Sequence, residues 1–323
     1  MPAPFCLPPY LSARSATETV AACQRLLESD DAAMVDAKRL RFADPFGLAM
    51  LGATFHMVRD QGRAVGVCGL SSDMAGYLSR MDVFEGVELV GCAPRPTERH
   101  DRRDALVELT LLDKQGGVDD AAYRLATVLA GTDPGEPPDE MSGFTAYDRL
   151  VEPIQYALSE LLENAMTHAR RQGFRYASVW VACQYYRNGL IRLGVVDNGC
   201  GFLETLRAHP DLRRETHHEA ILIALRPRIS CNRDLRLGLD SVNQGVGLTT
   251  TSRIAGQAGG GLVIVSGNAF HSTTGGSGIL GCAAEWQGVA IAMECRRDRL
   301  PNVRVRELLP PLDALTSVRL RFE

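Results

Sequence analysis

A long amphipathic helix in the middle of the chain is the feature that most constrains the fold. Apolar side chains recur there at helical spacing, at Leu150, Ile154, Leu158, Leu161 and Ala165. One face of this helix is therefore predicted to lie in a core. Glu160, Asn164 and His168 recur at every fourth position, which places them in a polar stripe on a different face.

The side chains of this stripe have the chemistry of a site for a cation and a phosphate. The amide oxygen of Asn164 can coordinate Mg²⁺ without adding charge. The carboxylate of Glu160, one turn earlier, can accept a proton from water or from a hydroxyl group. The alternative is a plain amphipathic helix whose polar face is solvated, and the motif alone does not separate the two interpretations.

Two glycine-containing turns come later in the chain. Asp197 ends a predicted strand and is followed by Gly199 and Gly201, so a carboxylate would lie at the mouth of a sheet and the backbone could pass close beneath a flat ligand. An ordinary tight turn is the alternative. Gly245 and Gly247 precede a predicted helix, where exposed N–H groups bind phosphate. Residues 203–244, between the two turns, have the composition of a mobile lid.

The remaining pattern predicts an α/β protein with two domains. Strands are predicted at 33–36, 64–68, 87–90, 105–112, 176–183, 190–196, 262–266, 279–285, 289–294 and 317–322. Helices are predicted at 11–29, 45–59, 72–81, 119–129 and 249–258, and a loose loop at 268–278. Asn188-Gly189 between two apolar runs predicts a hairpin. The charged, proline-punctuated residues 93–104 indicate a boundary between domains at 1–95 and 96–323.

The composition excludes several classes of function. The net charge of −4 over 323 residues gives no basic surface for nucleic acid or an anionic membrane. Nine cysteines are scattered singly, without a metal-binding cluster, so we expect reduced thiols. The first residues lack the pattern of a signal peptide, and no apolar run approaches the roughly 20 residues of a membrane span. We therefore expect a cytoplasmic protein.

The order of the polar helix and the two turns resembles the GHKL ATP-binding fold. This superfamily includes gyrase B, a heat-shock chaperone, MutL-type repair proteins, sensor histidine kinases and anti-sigma serine kinases, and the last branch is the most similar. The likeness covers about residues 105–295. It implies a Bergerat-type α/β sandwich, with helices over one face of a mixed sheet and ATP between the helices and the lid.

The resemblance implies a role for each polar candidate. Asn164 would coordinate the Mg²⁺ that bridges the phosphates, and Asp197 would accept a hydrogen bond from the adenine amino group. Glu160 would be the general base, with Glu163, about 60° away around the helix, as second choice. His168 matches a histidine of the anti-sigma kinase helix, and a polar residue without chemistry is its alternative.

The glycines also receive roles from the resemblance. Gly199 and Gly201 would form the floor beneath adenine, and Gly245 and Gly247 would give backbone N–H groups to the phosphates. One departure stands at Gly288-Val289, where the family usually has Gly-Thr. Valine cannot donate the hydrogen bond that supports the aspartate, and losing one such bond weakens affinity by about 1 kcal/mol.

The N-terminal part resembles a STAS domain, the fold of the anti-sigma factor antagonists. The likeness rests on a strand, the turn Asp44-Pro45-Phe46-Gly47-Leu48 that opens a helix, and the strand and helix that follow. The phosphorylated serine of that family directly follows the turn aspartate. Pro45 has no hydroxyl group, so we expect no phosphorylation switch there. The alternative for Asp44 is an ordinary structural turn before a helix.

These features together predict an Mg²⁺- and ATP-binding signalling protein with a regulatory protein partner. One hypothesis is an enzyme that hydrolyses ATP or phosphorylates a protein Ser or Thr, with Glu160 as the base. The other is a binding module that nucleotide switches, with little or no chemistry. A homodimer is compatible with both. An autophosphorylating histidine kinase is disfavoured, because His56 has the surroundings of a packing residue and no long helical hairpin precedes residue 147.

Overall fold

The computed structural model describes residues 5–29, 33–92, 101–131, 137–141, 143–170, 173–174, 177–226 and 247–308. These residues form a mixed α/β fold with a parallel and an antiparallel sheet. The predicted strand at 317–322, most of the predicted boundary, Gly245 and residues 227–244 of the predicted lid lie outside this range. None of the helices in the described part has both the length and the apolar character needed to cross a membrane.

The N-terminal region, up to residue 92, is built on a small parallel sheet. Its strands are β1 (Phe5–Cys6), β2 (Tyr10–Leu11), β3 (Ala33–Asp36), β4 (Phe42–Ala43), β5 (Val65–Cys68) and β6 (Glu88–Val90), and its helices are α1 (Ala16–Leu27), α2 (Pro45–Asp60) and α3 (Ser72–Arg80). The sheet order is β1-β3-β5-β6, while β2 pairs with β4. The predicted elements are confirmed, except that the first helix starts later because β2 and a 3-10 turn at Ala13–Ser15 precede it.

The C-terminal region, from residue 101, is built on a larger sheet. Its strands are β7 (Leu106–Leu112), β8 (Val179–Tyr185), β9 (Leu190–Asp197), β10 (Gly261–Gly267), β11 (Ala269–Ser272), β12 (Ser277–Ile279) and β13 (Trp286–Arg296). Its helices are α4 (Val118–Ala130), α5 (Ala146–Ala169), α6 (Gly201–Leu206), α7 (His217–Ala224), α8 (Gly247–Gln257) and α9 (Val305–Leu308). The sheet order is β12-β11-β10-β13-β9-β8-β7.

Every neighbouring pair in this described seven-stranded sheet is antiparallel. The expectation of a mixed sheet is therefore wrong for these strands. The physical reason is that tight hairpins, which join only antiparallel strands, connect β8 to β9 and β10 through β12. The predicted Asn188-Gly189 hairpin is the first of these, and Gly189 has the positive φ of 84° that its turn requires.

The predicted strand at 279–285 and the predicted loop at 268–278 are both wrong. Residues 269–279 instead form the β11–β12 hairpin, in which Ala269 lies opposite Ile279. The apolar run after Ile279 indicated a strand, but Leu280 and Ala284 are buried under α1 and α2 as part of a turn. Cys282 and Ala283 have φ values of 59° and 51°, which exclude an extended backbone.

Helices cover both faces of the seven-stranded sheet, whereas the resemblance implied one. Helices α4, α5 and α8 pack on one face and form the main core. Helices α1 and α2 pack on the other, in a cluster with Trp180, Val196, Val265, Ala290 and Trp286 of the C-terminal region. Helix α2 is buried along most of its length because it lies between the two sheets. The two predicted domains thus share a hydrophobic cluster.

Close backbone contact holds α2 against the larger sheet. A Cβ atom at Gly194 of β9 would lie 2.4 Å from the carbonyl oxygen of Pro45, so only glycine permits this approach. The carboxylate of Asp44 caps α2 by accepting from the N–H group of Gly47 at 3.1 Å. It also lies 3.8 Å from Arg192 of β9, and burial raises its pKa to about 6. Asp44 therefore has the structural role that the sequence left open.

Candidate functional site

Helix α5 is held at its start by a capping box. The N–H group of Asp148 donates to Thr145 Oγ1 at 3.1 Å, and the N–H group of Thr145 donates to Asp148 Oδ2 at 3.0 Å. The predicted apolar face is confirmed, with Leu150, Ile154, Leu158 and Leu161 buried and Ala165 half-buried. Because this face is buried, the orientation of the helix about its axis is set, and with it the positions of Glu160, Asn164 and His168.

The polar stripe runs from a buried carboxylate to a small cavity. Glu160 is only 5% exposed, and burial, followed by the charge of Glu163, raises its pKa to about 7. Glu163 itself is exposed and does not share this environment. Asn164 and His168 are half-buried and line the cavity. A carboxyl group with a pKa near 7 can take up and release a proton at neutral pH.

Asp197, at the end of β9, is buried and lines the same cavity. Its Oδ1 accepts from the N–H groups of Gly199 at 2.9 Å and Val289 at 3.2 Å. Both of these hydrogen bonds reach Oδ1, and no hydrogen bond from a described residue reaches Oδ2. Burial raises the pKa of Asp197 to about 7 against the opposing effect of the two donors. A Cβ atom at Gly288 would lie 2.5 Å from Oδ1, so the carboxylate is tightly enclosed.

The two glycines after Asp197 have different surroundings. A Cβ atom at Gly199 would lie 2.2 Å from Ala169 Cα, so this glycine allows the loop to approach the end of α5. It is not among the described residues that line the cavity, although the sequence placed it beneath adenine. Gly201 does line the cavity, and its φ of 73° is one that glycine readily adopts.

The start of α8 lies against α5 at the level of Glu160. A Cβ atom at Gly247 would lie 2.6 Å from the backbone nitrogen of Leu161 and 2.8 Å from the carbonyl carbon of Glu160. The N-terminus of this helix, with N–H groups that lack partners within the helix, is therefore packed against the α5 backbone at Glu160 and Leu161. Gly245 cannot be placed, because it lies outside the described residues.

The cavity itself is a mostly apolar slot of about 60 Å³ between α5, α6, α8 and the sheet. Besides the predicted residues, its lining includes Leu161, Ala165, Ala169, Val195, Phe202, Thr205, Leu248, Val289 and Ile291. The strand residues among these could have been found from the sequence. Side chains alternate along a strand, so Val195 shares the face of Asp197, and Ile291 shares that of Val289. An apolar slot with one carboxylate acceptor suits a flat ring that bears an amino group.

The buried carboxyl of Asp197 should make folding stability depend on pH. Its pKa is about 7 in the folded protein and about 3.9 when unfolded, so between these values the folded state binds more protons. The free energy of unfolding should therefore fall as pH rises from 4 to 7, by about 1.4 kcal/mol per pH unit from this group, and level off above 7. Urea unfolding at several pH values should show this slope reduced in Asp197→Asn. If the free energy of unfolding depended on pH equally in the wild type and in Asp197→Asn, the raised pKa of Asp197 would be contradicted.

Similarity to known proteins does not identify this site. Comparison of the chain with models of protein families, with curated proteins and with solved structures found no match.

Proposed function

We propose that this chain is an Mg²⁺-dependent, ATP-binding protein of the GHKL type, joined to a STAS-like N-terminal region, that cleaves the γ-phosphate from ATP. The observation that carries the proposal is the convergence on one cavity of segments that are distant in sequence. They contribute Asn164 and His168 from α5, Asp197 and Gly201 from the end of β9, and Leu248 from α8. The phosphoryl group passes to water or to a Ser or Thr of a partner protein.

The chemistry of the groups around the cavity matches that of an adenine ring. Oδ2 of Asp197 accepts from the amino group of adenine, while the N–H group of Val289 holds Oδ1 in place of the threonine usual in the family. The apolar strand side chains contact the ring faces. The slot of about 60 Å³ is narrow for a purine, so Phe202 and Leu248, which line it from α6 and α8, would have to move apart for adenine to enter.

The phosphates and the metal ion would lie toward the start of α8. In the described residues, no cluster of three or more His, Cys, Asp or Glu side chains could hold a metal ion. Magnesium would instead be held by the amide oxygen of Asn164 and by phosphate oxygens, as is common for this ion. When bound, it neutralises charge that develops on the transferred phosphoryl group. The backbone N–H of Gly247, at the start of α8, would supply a donor to the same phosphates.

Glu160 has the properties of the base in this scheme. Its pKa of about 7 allows it to remove a proton from the attacking water or hydroxyl group at neutral pH. The switch hypothesis remains the second candidate, in which bound ATP changes contacts without chemistry. A specific observation favours it: the face of the sheet opposite the cavity forms a shared core with the N-terminal region, so the two regions are mechanically connected.

Substitution of Glu160 separates the two candidates. Glu160→Gln keeps the size of the side chain and removes its basicity, so MgATP binding should persist while γ-phosphate cleavage falls by roughly 100-fold or more. Glu152→Gln is the matched control, because Glu152 is exposed on the same helix, about two turns before Glu160, and this variant should behave like the wild type.

The experiment follows ATP labelled on its γ-phosphate in the presence of Mg²⁺. Label released as phosphate identifies an ATPase, and label on a Ser or Thr identifies a protein kinase. Label that stays on bound ATP identifies the switch. Unchanged turnover in Glu160→Gln would exclude this residue as the base, and absence of nucleotide binding by the wild type would overturn the proposal.

A further inference from the structure

The start of β13 encloses the buried carboxylate of Asp197. The indole N–H group of Trp286 donates to the carbonyl oxygen of Asp197 at 2.8 Å. Gly288 leaves no room for a side chain beside the carboxylate, and the N–H group of Val289 donates to Oδ1 at 3.2 Å. Three of the first four residues of β13 therefore contact Asp197.

The Trp286 side chain belongs to the core that the N-terminal region makes with the sheet. It is 1% exposed and packs in the cluster that contains residues of α1 and α2, including Val20, Cys23, Phe46 and Met50. The residue before it, Glu285, donates its N–H group to Gln24 Oε1 of α1 at 2.8 Å. Helix α1 thus holds the corner at which β13 begins.

The strand ladder alone does not fix this corner. The register between β10 and β13 shifts at Ser266 and Gly267, and Gly267 pairs with Trp286 beyond the shift. In addition, Gln24 and Leu27 of α1 line one groove together with Asn198 and Cys200 of the loop that follows Asp197. Support for Asp197 from α1 therefore runs through the start of β13, and the groove places α1 on the same side of the sheet as the loop that follows Asp197.

We propose that the N-terminal region regulates the nucleotide site, with Trp286 as a positioning residue that transmits the docking of α1 to Asp197. The proposal rests on the function proposed above. Docking of α1 holds Asp197 where the adenine amino group requires it and raises affinity for the nucleotide. Because such coupling is reciprocal, bound nucleotide must strengthen the docking of α1 by the same factor.

Two substitutions on either side of this connection test it in the full-length protein. Trp286→Phe retains an aromatic ring and removes the indole donor, and Gln24→Ala removes the acceptor on α1. Each should weaken MgATP binding about fivefold or more, the lower end of typical coupling. Gln24 also donates from Nε2 to Glu28 at 2.8 Å, so the double variant Gln24→Glu with Glu28→Gln keeps both the oxygen acceptor and this hydrogen bond, and it should bind MgATP like the wild type. Arg25→Ala, on the exposed side of the same helix, is the matched control.

Hydrogen exchange provides a readout that a purely structural role would not change. In the wild type, MgATP should slow amide exchange in α1, and in Trp286→Phe this ATP-dependent slowing should be lost. Wild-type affinity in both Trp286→Phe and Gln24→Ala, with exchange in α1 indifferent to MgATP, would overturn the inference and leave the proposed function standing. A wild type that does not bind MgATP would overturn both. If Trp286→Phe fails to fold, the MgATP affinity of Gln24→Ala, which changes a half-buried residue, tests the inference by itself.

Discussion

Asp197→Asn is expected to weaken ATP binding by roughly 100-fold and to shift preference toward purine nucleotides with a 6-oxo group, such as ITP. The reason is the fixed environment of Oδ1, which receives two backbone N–H donors. An asparagine must place its amide oxygen there, so its NH₂ group takes the position of Oδ2. That group would face the adenine amino group donor to donor, whereas a 6-oxo group could accept from it. Two unpaired buried donors account for a loss of this size.

Equilibrium binding of ATP and ITP to the wild type and the variant measures the shift. Asn164→Ala is the contrasting variant, since a lost Mg²⁺ ligand should weaken the Mg²⁺ complexes of both nucleotides alike and leave base preference unchanged. Equal losses for ATP and ITP in Asp197→Asn would mean that Asp197 does not read the base.

Gly194→Ala is expected to destabilise the protein by about 3 kcal/mol or more. The added Cβ atom would lie 2.4 Å from the carbonyl oxygen of Pro45 and 2.7 Å from the backbone nitrogen of Phe46. Neither backbone atom can move without lifting the start of α2 from the sheet, and such overpacking is costly. Urea unfolding followed by circular dichroism measures the change.

Gly76→Ala is the matched control, because it makes the same chemical change within α3. A Cβ atom at Gly76 meets nothing within 4 Å, and alanine is the better helix former by about 1 kcal/mol. This variant should be as stable as the wild type or more stable. If Gly194→Ala were equally stable, α2 would not be packed on β9 as described.

Local sequence patterns predicted most helices and strands, but they did not predict which helix packs against which sheet. The spacing of Leu150, Ile154 and Leu158 fixed which face of α5 is buried, because a helix repeats over a few residues. The pattern could not say what covers a buried face. The near-continuous apolar run of β9 is a sign that both faces of a strand are covered, and α2 is apolar on nearly all sides for the same reason. Only the tertiary structure shows that α2 packs on β9.

The candidate site was partly accessible from the sequence. Glu160 and Asn164 stood out because they recur at helical spacing on a polar face, and Asp197 because it ends an apolar strand before two glycines. Trp286 did not, because its contribution depends on one N–H group reaching a carbonyl oxygen that is distant in sequence. The β11–β12 hairpin was missed because Thr273-Thr274-Gly275-Gly276 is a weaker turn signal than Asn-Gly, and the apolar run beyond it has the composition of a strand.

The burial of α2 between two sheets has a consequence during synthesis on the ribosome. Helix α2 ends at Asp60, while β13, which completes the surface on which it packs, begins more than 200 residues later at Trp286. At roughly 5–20 residues per second, about 10–45 s pass between the synthesis of α2 and that of β13, the last of the strands on which it packs. The nascent chain must carry this uncovered apolar surface until the C-terminal strands emerge.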